Sequence, residues 1–326
     1  QTDTAPPDPA PKFQTSLPII LSFFSRTLIY RISKKIKRLM PDNPLKKLLP
    51  KFVDYLKEKG RSPSTILAYG TDLEQLTSFL ERKNTVLASQ VRPDYLEGFK
   101  NWLLAEKYTP KSTSRKLNAI KTFFRWLKTE GLIAEDPSKD VRHPKIEVSV
   151  PKFLSQLEYR ALRDIARTDL RVATIVEVIL QTGMRISEVA NLKLANIKGD
   201  QVVIEAYATQ PQRTIPLNRA GKTAIDRYLQ NRIKTNSPYV FVSKNGKPLA
   251  IRNIRAAIDR YLQKAEISGY SVNDLRTTFI VENLRRGVNL ITISQAVGHK
   301  RLSTTERYLE LAGIKEPGKK QVLEEL

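Results

Sequence analysis

The sequence predicts a two-domain, mainly α-helical protein, with a four-helix N-terminal domain and an α+β second domain that is mostly helical. Three observations support this prediction. The length of 326 residues suits two domains with a tail. Residues 45–135 show only helical spacing of apolar residues, whereas the alternation typical of strands is confined to short stretches after residue 200. Hydrophobic residues make up 40% of the chain, which is enough to build a core in each domain.

Residues 1–44 are predicted to be an N-terminal extension, disordered at its proline-rich start, Ala5–Pro11. The apolar run Leu17–Phe24 is too short to span a bilayer and is followed by the basic segment Ser33–Arg38. Three interpretations of this region stay open: an amphipathic helix at a membrane or on DNA phosphates, a segment that docks on the protein, and a disordered extension. No membrane partner is otherwise expected.

The first domain, residues 45–135, is predicted to contain four helices. The first ends at Gly60, and the others cover Ile66–Leu80 after the opening Ser62–Thr65, about Arg92–Glu106, and Arg115–Glu130. The last helix has an apolar inner face and a basic outer face formed by Arg115, Lys116, Lys121, Arg125 and Lys128. This basic face is the predicted DNA-binding surface of the domain.

Residues 136–150 are punctuated by prolines and are predicted to be a linker to the second domain, residues 151–326. That domain is expected to begin with helices Ser155–Ala166 and Leu170–Thr182, the second ended by Gly183, and a third from Arg185 through Leu194. The alternating stretches predict a hairpin, Val202–Ala206 with Arg213–Leu217, and a further strand, Tyr239–Val242, with helices from there to Leu326.

Composition restricts the chemistry. The chain has no cysteine and only two histidines, which excludes disulfides, thiolate sites and a histidine-built metal cluster. Any reaction must therefore use Arg, Lys, Tyr, Ser, a carboxylate or a single His, and no cofactor or metal is expected. The formal net charge of +23 indicates a polyanionic partner, most commonly nucleic acid, although an incidentally basic surface is the alternative.

Three blocks of the second domain carry a specific resemblance. They are Thr182–Leu192, Ser271–Phe279, and Val297–His299 followed by Thr304–Tyr308. In this order they resemble the catalytic domain of the tyrosine recombinases, the phage integrase family that includes lambda integrase and the Xer proteins. Ser62–Thr65 with Tyr69 and Asp72, then Ser112–Trp126, resemble the SAM-like core-binding domain of the same family. The resemblance covers residues 45–312.

The resemblance implies a site-specific recombinase or integrase that closes on double-stranded DNA as a C-shaped clamp and forms a 3′-phosphotyrosine intermediate. The catalytic residues would be Tyr308 as nucleophile, Arg185 and Arg276 as phosphate clamps, His299 as a hydrogen-bond donor, and Asn273. Physical chemistry agrees with these roles. A tyrosine phenol can keep the energy of the phosphodiester in a covalent phosphotyrosine bond, and guanidiniums can hold phosphate without a metal. Contacts with DNA are expected from Ser64, Thr65, Lys111, Arg115, Lys116, Lys121, Arg125 and Arg213.

The resemblance also implies a homo-tetramer on paired DNA sites, possibly with a second recombinase, in the cytoplasm on the nucleoid. The tail with Val322, Leu323 and Leu326 resembles the family segment that docks on a neighbouring subunit. Local signals predict that Gly298 ends a helix in a left-handed conformation. Ser303 with Glu306, and Ser271 with Asp274, are predicted to form capping boxes that start the next helices.

Two positions depart from the family pattern. Asn273 stands where the family usually has a histidine, and it can donate a hydrogen bond but cannot transfer a proton. Ala208 stands where the family has a lysine that protonates the leaving 5′ oxygen. Three explanations stay open: a different register, substitution by another cation such as Arg213 or Lys198, or impaired cleavage. Impaired cleavage would make the chain an architectural or regulatory DNA-binding protein.

Overall fold

The computed structural model describes residues 43–147, 150–207 and 210–326. Its contacts divide the chain into two units, with the boundary between Ile146 and Glu147. The predictions for the proline-rich start, Ala5–Pro11, and for the apolar and basic runs between residues 17 and 38 lie outside the described residues. None of the described helices is long and apolar enough to cross a membrane. The predicted fold class, a helical SAM-like unit followed by a mostly helical unit with a small antiparallel sheet, is confirmed.

From residue 43 onward, the first unit contains four α-helices and a short 3-10 turn at Ala88–Gln90. The helices are α1 Leu45–Glu58, α2 Pro63–Glu81, α3 Pro93–Ala105 and α4 Pro110–Thr129. Ser62 caps α2 and Thr109 caps α4, each by accepting a hydrogen bond of 3.2 Å from the amide three residues later. Because proline at the first position needs no hydrogen-bond partner for its nitrogen, α4 begins at Pro110 and not at the predicted Arg115.

The core of the first unit is rich in aromatic rings. Phe52 of α1 meets Phe123 of α4 edge to face, with ring centroids 5.2 Å apart, and Trp126 lies beside both. Phe79 and Phe99 form a second pair at 5.3 Å, which joins α2 to α3. These contacts hold the four helices together by burying the predicted apolar face of α4.

One member of the predicted basic face lies inside this unit. Lys116 is only 6% exposed, and its ammonium donates to Oδ1 of Asp72 at 2.9 Å, while Asp72 itself is 1% exposed. Arg115 donates to the same carboxylate but keeps about half of its side chain in solvent. The prediction of Lys116 as a surface contact is corrected, because the buried Asp72 needs a cation at that position.

The second unit contains eight α-helices in its described residues and a three-stranded sheet. The elements are α5 Gln156–Ala166, α6 Leu170–Thr182, α7 Ile186–Ala190, β1 Ile197–Lys198, β2 Gln201–Ile204, β3 Arg213–Pro216, α8 Arg219–Asn231, α9 Ile251–Lys264, α10 Val272–Arg285, α11 Leu290–Val297 and α12 Leu302–Ala312. The sheet is antiparallel in the order β1-β2-β3, with Ile204 opposite Arg213 and Gln201 opposite Pro216. The same register continues to the bridge between Tyr207 and Gln210.

Two predicted elements of this unit differ from the structure, and one strand was not predicted. The third helix stops at Ala190, and a separate 3-10 turn at Leu194–Asn196 leads into β1, which was not predicted. Tyr239–Val242 forms isolated bridges and no strand of the sheet, although its middle residues are fully buried. The strand prediction is wrong because an apolar run of this length indicates burial, and burial does not require a ladder of hydrogen bonds.

The prediction of helix as far as Leu326 is also wrong. The last helix, α12, ends where Gly313 adopts a left-handed conformation with φ 73°. The following tail lies on its own unit. Leu326 accepts hydrogen bonds of 3.1 Å from the side chains of Arg163 and Gln181, and Leu323 packs against the core.

Candidate active site

The carboxyl end of α11 gathers three arginines from three different parts of the second unit. Arg213 donates to Ala296 O at 2.8 Å, Arg276 to Val297 O at 2.7 Å, and Arg185 to Gly298 O at 2.8 Å. The last carbonyls of a helix lack intrahelical partners and form the negative end of its dipole, so cations are stabilised there. These three residues, with Glu188, are called the arginine cluster below.

Glu188 bridges two members of the arginine cluster. Its carboxylate accepts two hydrogen bonds from Arg213, at 2.9 and 2.8 Å, and two from Arg185, one from the guanidinium at 2.9 Å and one from the backbone nitrogen at 2.8 Å. Burial acts to raise the pKa of Glu188, but the hydrogen bonds and charges of the two arginines outweigh burial and lower it. The carboxylate is therefore ionised and offsets the repulsion between the two arginines. Sequence reasoning missed this residue, although its place three residues after Arg185 is a helix-start signal.

Arg213 is placed differently from the sequence expectation. Its side chain is 10% exposed, and all three guanidinium nitrogens donate to protein atoms, one to Ala296 O and two to Glu188. The structure shows Arg213 as a partner of Glu188 and of the end of α11, in the wall of the cleft beside His299, so its role as a DNA contact or a replacement cation stays a prediction. Three of its five N–H groups bond to the helix end and to the buried carboxylate, so Arg213 holds Glu188 in place at the end of α11.

Arg276 and Arg185 keep free donors. Arg276 uses one nitrogen on Gly183 O and another on Val297 O, and Arg185 likewise uses two. Because a guanidinium has five N–H groups, three on each of these side chains have no hydrogen-bond partner among residues 43–147, 150–207 and 210–326 and can donate to an anion. Burial, and then the charge of Arg185, lowers the pKa of Arg276 to about 9. The cluster thus carries an unrelieved positive charge near neutral pH.

His299 follows the helix end directly. Gly298 adopts φ 67°, as predicted, and a Cβ there would come within 2.9 Å of the Arg213 guanidinium. The His299 ring is then fixed by a 2.8 Å hydrogen bond between its Nδ1 and Thr305 Oγ1. Burial, and then the charges of Arg276, Arg185 and Arg213, lower the pKa of His299 to about 4. The imidazole is therefore neutral at physiological pH.

Tyr308, on α12, lies beside His299. The two rings are stacked, with centroids 6.1 Å apart and planes 9° apart, and the tyrosine is half-buried. The predicted capping box of Ser303 and Glu306 is wrong, because α12 starts at Leu302 after Arg301, without a side-chain cap. By contrast, the Asp274 carboxylate accepts from the Ser271 backbone nitrogen at 2.7 Å, as predicted for the start of α10.

Asn273 is exposed in the first turn of α10, one turn before Arg276. Beside His299 opens a cleft of about 540 Å³ whose wall includes Gln210 and Pro211 of the hairpin and Lys300. Ala208 and Thr209 lie outside the described residues, between Tyr207 and Gln210. Lys198 pairs with Gln201 at the end of β2 remote from that turn, so it is not close to the cleft.

The predicted DNA contacts of the first unit lie along α2 and α4. Ser64 and Lys111 are exposed in the first turns of these helices, and Thr65 is half-buried with its hydroxyl 2.8 Å from Ser62 Oγ. Further along α4, Arg125 is exposed and Lys121 is half-buried. The exposed basic members, Lys111, Arg115 and Arg125, all lie on α4, a geometry that suits phosphate contacts.

Family models match both units. The model described as "Phage integrase family" matches residues 152–313, and the model of the phage integrase N-terminal SAM-like domain matches residues 49–131. The tyrosine recombinase XerD of Pseudomonas aeruginosa is 30% identical over 277 residues, covering 81% of this chain and 93% of that protein. XerC of Herpetosiphon aurantiacus is 29% identical over 276 residues, covering 81% and 90% respectively.

Solved structures show the same fold. A lambda integrase dimer bound to a COC′ core site has a TM-score of 0.69 at 17% identity, covering 91% of this chain and 84% of that one. The Tn1549 transposon integrase in complex with transposon right end DNA has a TM-score of 0.68 at 17% identity, covering 81% and 94%. With both units matched and with relatives covered over nine-tenths or more of their length, the chain belongs to the phage integrase family of tyrosine recombinases.

Proposed function

We propose that this chain cuts and rejoins double-stranded DNA at a specific site, through a covalent bond between Tyr308 and a 3′ phosphate. The observation that carries the proposal is the stack of Tyr308 on His299, directly beside the arginine cluster at the end of α11. A nucleophile next to fixed guanidiniums is what phosphoryl transfer without a metal requires.

In the cleavage step the phenolic oxygen of Tyr308 attacks the phosphorus, and the bond from phosphorus to the 5′ oxygen breaks. The phenolic proton leaves to water. The extra negative charge that develops on the non-bridging oxygens is met by the free N–H groups of Arg185 and Arg276 and by His299. Since Glu188, Arg213 and the helix carbonyls already fix this geometry, little reorganisation is needed when the phosphate arrives.

The departing 5′ oxygen needs a proton. Arginine releases one too reluctantly, and a neutral His299 serves as a donor to the phosphate. Among the described residues that line the cleft, Lys300 carries an ammonium, and its side chain is exposed and next in sequence to His299. We assign the transfer to Lys300, whose ammonium gives a proton to the 5′ oxygen and takes it back when the 5′ hydroxyl attacks the phosphotyrosine in the rejoining step.

The first unit contributes to binding. The exposed Ser64, Lys111, Arg115 and Arg125 would contact phosphates. The formal charge of +23, to which the lysine and the two arginines contribute, supports such contacts. A lambda integrase tetramer bound to a Holliday junction, with a TM-score of 0.67 at 17% identity, supports the proposal that this chain acts as a homo-tetramer on paired sites, alone or with a second recombinase. Its place of action would be the cytoplasm, on the nucleoid.

The test uses a nicked suicide substrate that contains the chain's own target, obtained by selection from random DNA. The full chain is incubated with labelled DNA without added metal, and covalent complex is measured on a denaturing gel. We expect a covalent band from the wild type and none from Tyr308→Phe. Tyr207→Phe is the matched control, because Tyr207 is a 60% exposed tyrosine in the hairpin that borders the cleft, and it should keep the band.

The competing function is a DNA-binding protein without cleavage, motivated by Ala208 and Asn273. Binding alone would not require a tyrosine packed against a neutral histidine beside two guanidiniums with free donors. Tight site-specific binding with no covalent band from any of the three proteins would favour that alternative. A band that survives Tyr308→Phe but disappears with Tyr207→Phe would assign the nucleophile to the hairpin.

A further inference from the structure

Thr305 is buried against His299 and has one hydrogen-bond partner. Its side chain is 0% exposed in the first turn of α12, and its Oγ1 lies 2.8 Å from Nδ1 of His299. No other atom of residues 43–147, 150–207 or 210–326 shares a hydrogen bond with this hydroxyl. The contact therefore has to serve both groups at once.

Only one direction of this hydrogen bond leaves both groups paired. If Nδ1 carried the ring proton, it would donate to Oγ1, and the hydroxyl proton would be buried without an acceptor. A buried polar group without a partner costs about 1–3 kcal/mol. If the hydroxyl donates to a bare Nδ1, both groups are satisfied and the ring proton must sit on Nε2.

We propose that Thr305 donates its hydroxyl proton to Nδ1 of His299 and thereby holds the imidazole in the tautomer that is protonated at Nε2. Thr305 is in this sense a positioning residue, which acts through His299. The consequence rests on the proposed function, since only Nε2–H can donate to a non-bridging oxygen of a bound phosphate.

The neighbours of His299 fix the position and the charge of its ring, so the tautomer is the property that the Thr305 hydrogen bond determines. The His299 backbone nitrogen donates to Ser294 O at 3.0 Å, and the ring is stacked on Tyr308, so its position is fixed. Because the pKa of His299 is lowered to about 4 by burial and the neighbouring arginines, the ring is neutral and exists as one of two tautomers. One tautomer gives the site a donor, and the other gives it an acceptor that would repel a phosphate oxygen.

His143 provides a matched comparison within the same chain. Ser114 Oγ lies 2.9 Å from its Nδ1, but this contact is exposed, so the hydroxyl can also bond to water. No tautomer is imposed there. Since the chain contains only these two histidines, their ring signals can be assigned with a single His143→Gln variant.

The test is a long-range proton–nitrogen correlation spectrum of the ¹⁵N-labelled full chain at neutral pH. We expect His299 to show a protonated Nε2 and a bare, hydrogen-bonded Nδ1, and His143 to show a mixture. Thr305→Val, which keeps the shape, should shift the His299 Nδ1 signal and introduce the second tautomer, whereas Thr305→Ser should preserve the wild-type pattern. A proton on Nδ1 in the wild type would overturn the proposal, whatever the variants do.

Cleavage gives the second readout. Thr305→Val should form covalent complex about tenfold more slowly at unchanged DNA affinity, and Thr305→Ser should recover most of the rate. Equal rates for Val and wild type would refute the positioning role. If even the wild type forms no covalent complex, the proposed function fails, while the spectrum still decides the tautomer.

Discussion

Replacing Gly298 with alanine tests whether the arginine cluster depends on the close approach of the backbone at the end of α11. The residue has φ 67°, a conformation that costs an alanine about 1–2 kcal/mol. In addition, the new Cβ would lie 2.9–3.0 Å from the Nη1, Nε and Cζ atoms of Arg213. That guanidinium cannot simply swing away, because it is tied to Glu188 and to Ala296 O.

The close contact with Arg213 can be separated from the cost of the left-handed backbone by comparison with Gly313→Ala. Gly313 also ends a helix, at φ 73°, and a Cβ there meets nothing within 4 Å. We expect Gly313→Ala to reduce the free energy of unfolding only by the cost of a left-handed alanine, about 1–2 kcal/mol. Gly298→Ala should lose about 1–3 kcal/mol more, for weakened hydrogen bonds to a buried charge. For a unit of this size, each kcal/mol lowers Tm by about 2–4 °C.

Calorimetry of the full chain and covalent-complex formation on the suicide substrate are the two measurements. Since Gly298 O also holds Arg185 and His299 is the next residue, Gly298→Ala should reduce the cleavage rate by about 100-fold. Gly313→Ala should cleave within a few-fold of wild type. If the two variants lose the same stability and the same activity, the close packing of Arg213 under the helix end does not matter, and the reasoning is refuted.

Three further predictions concern the leaving group, the first unit and pH. Lys300→Ala should slow cleavage of ordinary DNA by about 100- to 10,000-fold. It should not slow cleavage of a substrate in which sulfur replaces the 5′ leaving oxygen, because a thiolate departs without a proton. Arg301→Ala is the control, and equal losses of rate on both substrates would exclude Lys300 as the proton donor. Asp72→Asn should lower the free energy of unfolding of the first unit by about 3–5 kcal/mol, because Lys116 would stay buried without its counter-charge. Urea titrations followed by tryptophan fluorescence would measure this, since both tryptophans lie in that unit, and an unchanged midpoint would contradict it. Because the folded-state pKa of His299, about 4, lies below the unfolded value of 6.5, the stability it contributes is complete above pH 6.5 and is lost as the pH falls through 4. The loss should be about 1–2 kcal/mol after solvent screening and should be smaller in His299→Gln, as shown by thermal unfolding between pH 7.5 and 4.

The sequence predicts most of the fold because its signals are local. Gly183 and Gly298 end helices at the predicted positions, and Leu170–Thr182 is predicted to the residue. The errors arise where tertiary contacts decide. Tyr239–Val242 has the composition of a strand, but it forms only isolated bridges with its neighbours. The tail after Ala312 is not helical because its backbone bonds to other segments: Lys320 N donates to Gly287 O, and Lys320 O accepts from Asn289 N.

The candidate site was identified from its motifs, whereas the contacts inside it could not be. Nothing in the spacing of Arg213 distinguishes a phosphate contact from a buried partner of Glu188, because the two residues are 25 positions apart. Lys116 was assigned to the wrong side of α4 for the same reason, since a helical face predicts direction but not the presence of a buried carboxylate across from it. The blocks of the resemblance nevertheless included Glu188 and Thr305, although no role was assigned to either.

Because three arginines are attached to one helix end, substitutions in α11 affect the position of all three. Arg185, Arg213 and Arg276 are far apart in sequence, but each is held by one of three consecutive carbonyls. A disturbance of α11 would therefore displace all the cations together, although no residue of that helix touches the phosphate in the proposed reaction. Substitutions in α11 should imitate the loss of catalytic residues, so a screen for inactive variants would find this helix as often as the arginines themselves.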